Sequence, residues 1–140
     1  MAFGAAKIYG GTPKRGDFFV LTHTMTDGAA GTSYDQVIAL PFDCVLVSCY
    51  ATVETTLAAA ATNYITLSVG DGTNDTMYGD TDSAGDNAAF TADTPRALAH
   101  YDGDHNLAVA GSAIHFKKVA SGTPANAVGQ IDFVLLVQRV

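Results

Sequence analysis

The 140-residue sequence has no tryptophan, only two cysteines, and no lysine or arginine between Gly16 and Pro95. Each scarcity excludes something. Two cysteines, Cys44 and Cys49, are too few for a disulfide framework. They stand five apart in one apparent strand, so alternation puts them on opposite faces, where they cannot bridge each other. Cys49 shares the apolar phase of Val45, Val47, Ala51 and Val53 and reads as a buried free thiol. No apolar run approaches the roughly 18 residues of a membrane helix. The opening MAFGAAKIYGG lacks the apolar stretch of a signal peptide, so neither a membrane nor that export route is expected. With eleven acids and no base over residues 16–95, the body repels phosphate backbones, and nucleic acid is not an expected partner.

The length suits one domain that buries about two-thirds of the surface its unfolded chain exposes. Hydrophobic residues make up 48% of it, many of them alanine, and the net charge is −7. The charge is unevenly spread. Residues 1–15 carry Lys7, Lys14 and Arg15 and no acid. Rich in Gly and Ala and broken at Thr12-Pro13, residues 1–16 read as an extended N-terminal arm, and residues 17–140 as the folded domain. From Asp17 onward the dominant signal is period two in short runs bounded by Gly, Asn, Asp and Pro, which is the signature of strands and turns. The expected strands are 18–25, 36–40, 44–54, 63–69, 75–78, 96–101, 105–110, 113–119 and 129–139, with a helical turn or loop over Thr55 to Thr62 and a hairpin turn at Asp102-Gly103.

So many short strands joined by long loops predict an all-β fold, a jelly-roll-like β-sandwich rather than an up-and-down barrel. The expected core is Val47, Val53, Ile65, Leu67, Val69, Ile131, Phe133 and Leu135. In the last strand Val134 and Leu136 are apolar on the other face as well, which marks a central strand or a face covered by another chain.

Little in the sequence suggests catalysis. It has no G-x-S-x-G elbow, P-loop, H-E-x-x-H helix or C-x-x-C pair, and Glu54 has no carboxylate near it in sequence. The acidic run Asp71 to Asp86 invites calcium, but Ala84 and Thr91 fall where an EF-hand loop needs an oxygen ligand and a bidentate Glu. It reads as a solvated loop. The cluster His100, Asp102, Asp104 and His105 could hold a transition metal, yet turn chemistry alone explains both Asp residues. His23 and His115 read as partly exposed or hydrogen-bonded strand residues. No cofactor or metal is expected, and neither the Arg15-Gly16-Asp17 tripeptide nor the formal glycosylation acceptor at Asn74 is assigned a role.

Residues 36–140 carry a resemblance. FDCVLVSCYATVETTLAAAATNYITLSVGDG, the acidic loop, the Gly-x-x-Ile-x-Phe strand from Gly111 to Phe116 and the Gly-led terminal strand from Gly129 to Val140 together resemble the head decoration, or cement, proteins of tailed bacteriophages. The resemblance implies a non-enzymatic homotrimer, or similar small oligomer, on the outside of the virion. There it would sit on the major capsid protein lattice and stabilise the head. Lys7, Lys14 and Arg15 of the arm and Val134 and Leu136 of the terminal strand are the expected partner-binding residues. The rival reading is the head domain of a phage fibre, binding host carbohydrate through loops near Tyr78 and Tyr101.

Overall fold

A computed structural model describes residues 3–4, 7–8, 12–72, 79–84, 88–98 and 107–140. They form β1 (Phe3–Gly4), β2 (Lys7–Ile8), β3 (Phe18–Asp27), β4 (Tyr34–Ala39), β5 (Cys44–Val53), β6 (Tyr64–Gly70), β7 (Gly79–Asp82), β8 (Arg96–Ala97), β9 (Leu107–Ala108), β10 (Ala113–Ser121) and β11 (Gly129–Arg139). No helix occurs among the described residues. Sheet A runs β1-β4-β10-β6-β7, and sheet B runs β2-β3-β11-β5-β8, with β9 also on β5. Every strand pairing is antiparallel except β1 on β4.

Setting aside β1 and β2, the order β3-β11-β5-β8 facing β4-β10-β6-β7 is that of a jelly roll. From β3 onward the chain changes sheet at every connection except β6 to β7 and β8 to β9. The expected all-β sandwich is therefore observed, and β11 is the central strand that its two-sided apolar pattern allowed. The segment expected as an arm contributes a two-residue strand to each sheet: Lys7 pairs with Thr22 of β3, and Phe3 with Val37 of β4.

The core lies between the sheets, where Leu21, Met25, Leu46, Leu57, Ile65, Leu67, Val69, Ile114, Phe116, Ile131, Phe133 and Leu135 are buried. Phe116 packs on Phe133 with ring centroids 5.2 Å apart, and His23 stacks on Phe116 at 4.5 Å while hydrogen-bonding Gln36 at 2.8 Å. Burial lowers the pKa of His23 below its usual value, outweighing the Gln36 bond that would raise it.

Two expectations about β5 fail for one reason. Val47, expected in the core, is 42% exposed, and Cys44 and Cys49, expected on opposite faces, are both buried inward. A β-bulge is the cause. Leu136 lies opposite Ser48 and Val137 opposite Leu46, so Val47 has no counterpart on β11 and the alternation of β5 changes phase there. Before the bulge Cys44 and Leu46 point inward; after it Cys49, Ala51 and Val53 do.

The segment Thr55 to Thr62 is a loop held by bridges, Leu57 to Phe90 and Ala60 to Ala84, with Leu57 buried. The strand expected at 75–78 and the turn at Asp102-Gly103 lie outside the described residues.

One polar cluster sits inside the apolar core. Lys118 on β10 and Asp27 at the end of β3 are both fully buried, Nζ to Oδ1 3.1 Å. Nζ also donates to the carbonyls of Thr32 at 2.7 Å and Ala30 at 2.9 Å, while the other Asp27 oxygen accepts from the Val128 amide at 3.0 Å.

Phe133→Ala should lower unfolding free energy by about 3 to 5 kcal/mol in denaturant titration; a loss under about 1 kcal/mol would contradict its central place in the core. Lys118→Ala should cost about 3 to 5 kcal/mol, since it strands a carboxylate out of water. Lys118→Met combined with Asp27→Leu should cost clearly less than the two single changes added together, because the pair acts as a unit.

Candidate functional site

The two sheets differ on their outer faces. On sheet A the outward side chains of Val37, Ser68 and His115 are buried. His115 Nδ1 donates to Asp35 at 2.8 Å, and Gly72, at φ +89°, lies so close over the imidazole that a Cβ there would collide with Nε2. Only glycine fits that approach and that backbone angle.

Sheet B presents an open apolar face. Its outward positions follow from the ladder: Val20 lies opposite Leu136, which lies opposite Ser48, and Thr22 lies opposite Val134, which lies opposite Tyr50, which lies opposite Ala97. Val20, Val47, Tyr50 and Val134 are all well exposed, as is Phe18 at the end of β3. Tyr50, Thr52, Pro95 and Val134 line a shallow hollow of about 350 Å³. The bulge that removes Val47 from the core adds it to this face. Exposed apolar side chains collected on one sheet face mark a surface made to be covered.

Charge is segregated along the same face. At one end the chain turns before β3: the Asp17 amide donates to the Lys14 carbonyl at 3.0 Å, with Gly16 at φ +89° as the turn requires. This turn holds Lys14 and Arg15 out in solvent beside the end of β11, where Gly16 donates to the Arg139 carbonyl at 2.7 Å. The Asp17 carboxylate folds back to accept from the Lys14 amide at 2.9 Å. At the other end Thr52, Glu54, Asp93, Gln130 and Asp132 line a second hollow of about 200 Å³. Glu54 accepts from the Gln130 amide at 2.9 Å, and Asp132 accepts from the Thr24 hydroxyl at 2.6 Å and from the Gln130 side chain.

Of the residues expected to bind a partner, Val134 and Leu136 lie on the apolar face, Lys14 and Arg15 at its basic end, and the Lys7 backbone pairs at the edge of sheet B. Sequence reasoning missed Val20, Tyr50 and Val47. The run Phe18-Phe19-Val20-Leu21, apolar at four consecutive positions, carried a signal for Val20; a strand so patterned is apolar on both faces.

Other sequence candidates do not assemble. Among the described residues no group of three His, Cys, Asp or Glu side chains could hold a metal ion. His100, Asp102, Asp104 and His105 lie outside the described residues, as do Tyr78, Tyr101, Asn74, Asp75 and Asp86. The thiols are poor nucleophiles: desolvation, then the nearby Asp43 charge, push the Cys44 pKa up to about 11, and burial drives Cys49 higher still. Neither cysteine should react with a disulfide reagent at pH 8 until denaturant is added; fast labelling of the native protein would contradict this packing.

Scanned against protein-family models and curated proteins, the sequence finds no match. Among solved structures, the fold is similar to that of a chain in the cyanophage Pam1 capsid asymmetric unit, with a TM-score of 0.54 and 17% sequence identity, over 99% of this chain and 94% of that one. At that identity the likeness establishes a shared fold, the jelly-roll sandwich, along nearly the whole of both chains.

Proposed function

We propose that this chain is a structural protein of a bacteriophage virion, a head decoration or cement protein that binds the major capsid protein lattice on the outside of the head and stabilises it. One observation carries this reading. The structural likeness to a chain of a cyanophage capsid asymmetric unit extends over nearly the entire length of both chains. The surface suits that role: its most developed feature is a broad apolar sheet face, shaped to lie against protein, with no deep cleft described in it. The basic N-terminal segment, with Lys7, is the attachment element toward an acidic lattice, and the acidic body disfavours contact with packaged DNA.

The test is co-sedimentation with bare heads. Pro13 is buried and its carbonyl accepts from the Arg139 guanidinium, so a deletion that spares the fold stops at Gly11. The intact protein should pellet with heads, raise their melting temperature and detach as salt rises; the chain lacking residues 2–11 should stay folded and bind more weakly. No pelleting by the intact chain, together with selective binding on a glycan array, would transfer it to the fibre-head class. Equal binding by both forms at every salt concentration would move the attachment surface from the N-terminal segment to the sandwich.

A further inference from the structure

The open face of sheet B has an apolar middle and ends of opposite charge. Beside Gln138 stand the exposed Lys14 and Arg15, with Asp17 turned back onto the Lys14 amide and Arg139 on the inner side over Phe42; beside Gln130 stand Glu54, Asp93 and Asp132. Asp27, at that same end, is already neutralised by Lys118. The two ends are separated by the eight residue steps from Gln130 to Gln138, about 27 Å of strand. A surface of this kind is complementary to itself when reversed end for end.

We propose that the outer face of sheet B packs on the same face of a second copy of this chain, about a two-fold axis that lies in the interface and runs across the strands. That axis passes between Val134 and Leu136, so Val134 of each copy meets Leu136 of the other, and Val20, Val47 and Tyr50 are covered around them. It lays the Lys14 and Arg15 turn of one copy over the Asp132 and Gln130 end of the other, twice. The alternative axis, along the strands, would set acidic end on acidic end, which like charge disfavours. A two-fold contact uses one patch twice and closes on itself, leaving the N-terminal segment at the edge of sheet B free to engage another partner. This pairing needs no capsid, so it stands or falls separately from the function proposed above.

Sedimentation equilibrium of the full chain in low salt should return twice the mass of one chain, and Val134→Glu, which brings two carboxylates together near the axis, should return a single-chain mass with an unchanged melting temperature. A single-chain or three-chain mass for the native protein overturns the proposal. The axis is read from a chain carrying Arg15→Cys and Gln130→Cys, bridged with a short bis-maleimide. The native thiols are buried and do not compete. Cross-links joining position 15 of one copy to position 130 of the other support the axis across the strands. Links of 15 to 15 or 130 to 130 in a two-chain species overturn it. Should Val134→Glu fold poorly, Val134→Thr with Leu136→Thr, which changes only outward positions, should weaken pairing at least tenfold; undiminished pairing would overturn the proposal.

Discussion

The buried pair of Lys118 and Asp27 is the constraint on which the rest of the arrangement depends. Two charges removed from water are tolerable only when each is fully met, and here they are: the ammonium has a carboxylate and three carbonyls in range, and the carboxylate has the ammonium and the Val128 amide. The bonds reach in several directions. Lys118 belongs to sheet A and Asp27 to sheet B, so the pair ties the two layers together at one end of the sandwich. The carbonyls of Ala30 and Thr32 fix the path from β3 to β4. Val128 sets the entry to β11, and Gly129, at φ +71° with Glu54 packed against it, turns the chain into the strand. A one-residue slip of β11 would turn Phe133 out and Val134 in. The polar cluster thus acts on the register of the strand whose outward side chains make the open face.

That face gains its meaning from the contrast with sheet A. Both sheets have an inner surface closed by the core, but sheet A has the outer surface around His115 covered by its own chain, through Gly72 over the imidazole and the His115 to Asp35 bond, while Val119 farther along β10 stays exposed. Sheet B has no such cover over Val20, Val134 and Tyr50 among the described residues. Apolar area left open in this way contributes about 25 cal/mol per Å² once a partner removes it from water, less the cost of association. The asymmetry is therefore an energetic statement as well as a geometric one.

Much of this was legible in the sequence, and the misses have physical causes. Period two located the long strands because each has one buried face: the expected 18–25, 44–54, 113–119 and 129–139 correspond to β3, β5, β10 and β11. The inference that β11 is apolar on both sides was sound because Val134 and Leu136 break the alternation openly. The bulge at Val47 was not legible. It arises from pairing with β11, far along the chain, and Val45 and Val47 in isolation look as core-like as Leu46 does. Lys118 was equally hidden. A lysine beside Lys117 in an alternating strand looks like solvated charge, and nothing local announces an Asp ninety-one residues earlier in the chain. The surface was half visible for the same reason: a residue's face can be read from its own strand, but Val20, Leu136 and Tyr50 become neighbours only through the jelly-roll order.

Charge segregation bears on how so acidic a chain would associate in the pairing proposed above. A net charge of −7 makes any two copies repel at long range, yet at physiological salt that field decays over about 8 Å. Inside that distance local pattern outweighs net charge. Lys14 and Arg15 sit on a turn at the rim, where solvent and salt reach them, so they orient an approaching surface and contribute little lasting affinity. Val134, Leu136 and Tyr50 lie in the middle, and the water they release is what holds two surfaces together. The acidic remainder limits association to approaches in which the basic rim meets an acidic patch, and so discourages unspecific clumping of a protein with an exposed apolar face. The acidic residues of the body thereby make this apolar face selective in what it can approach.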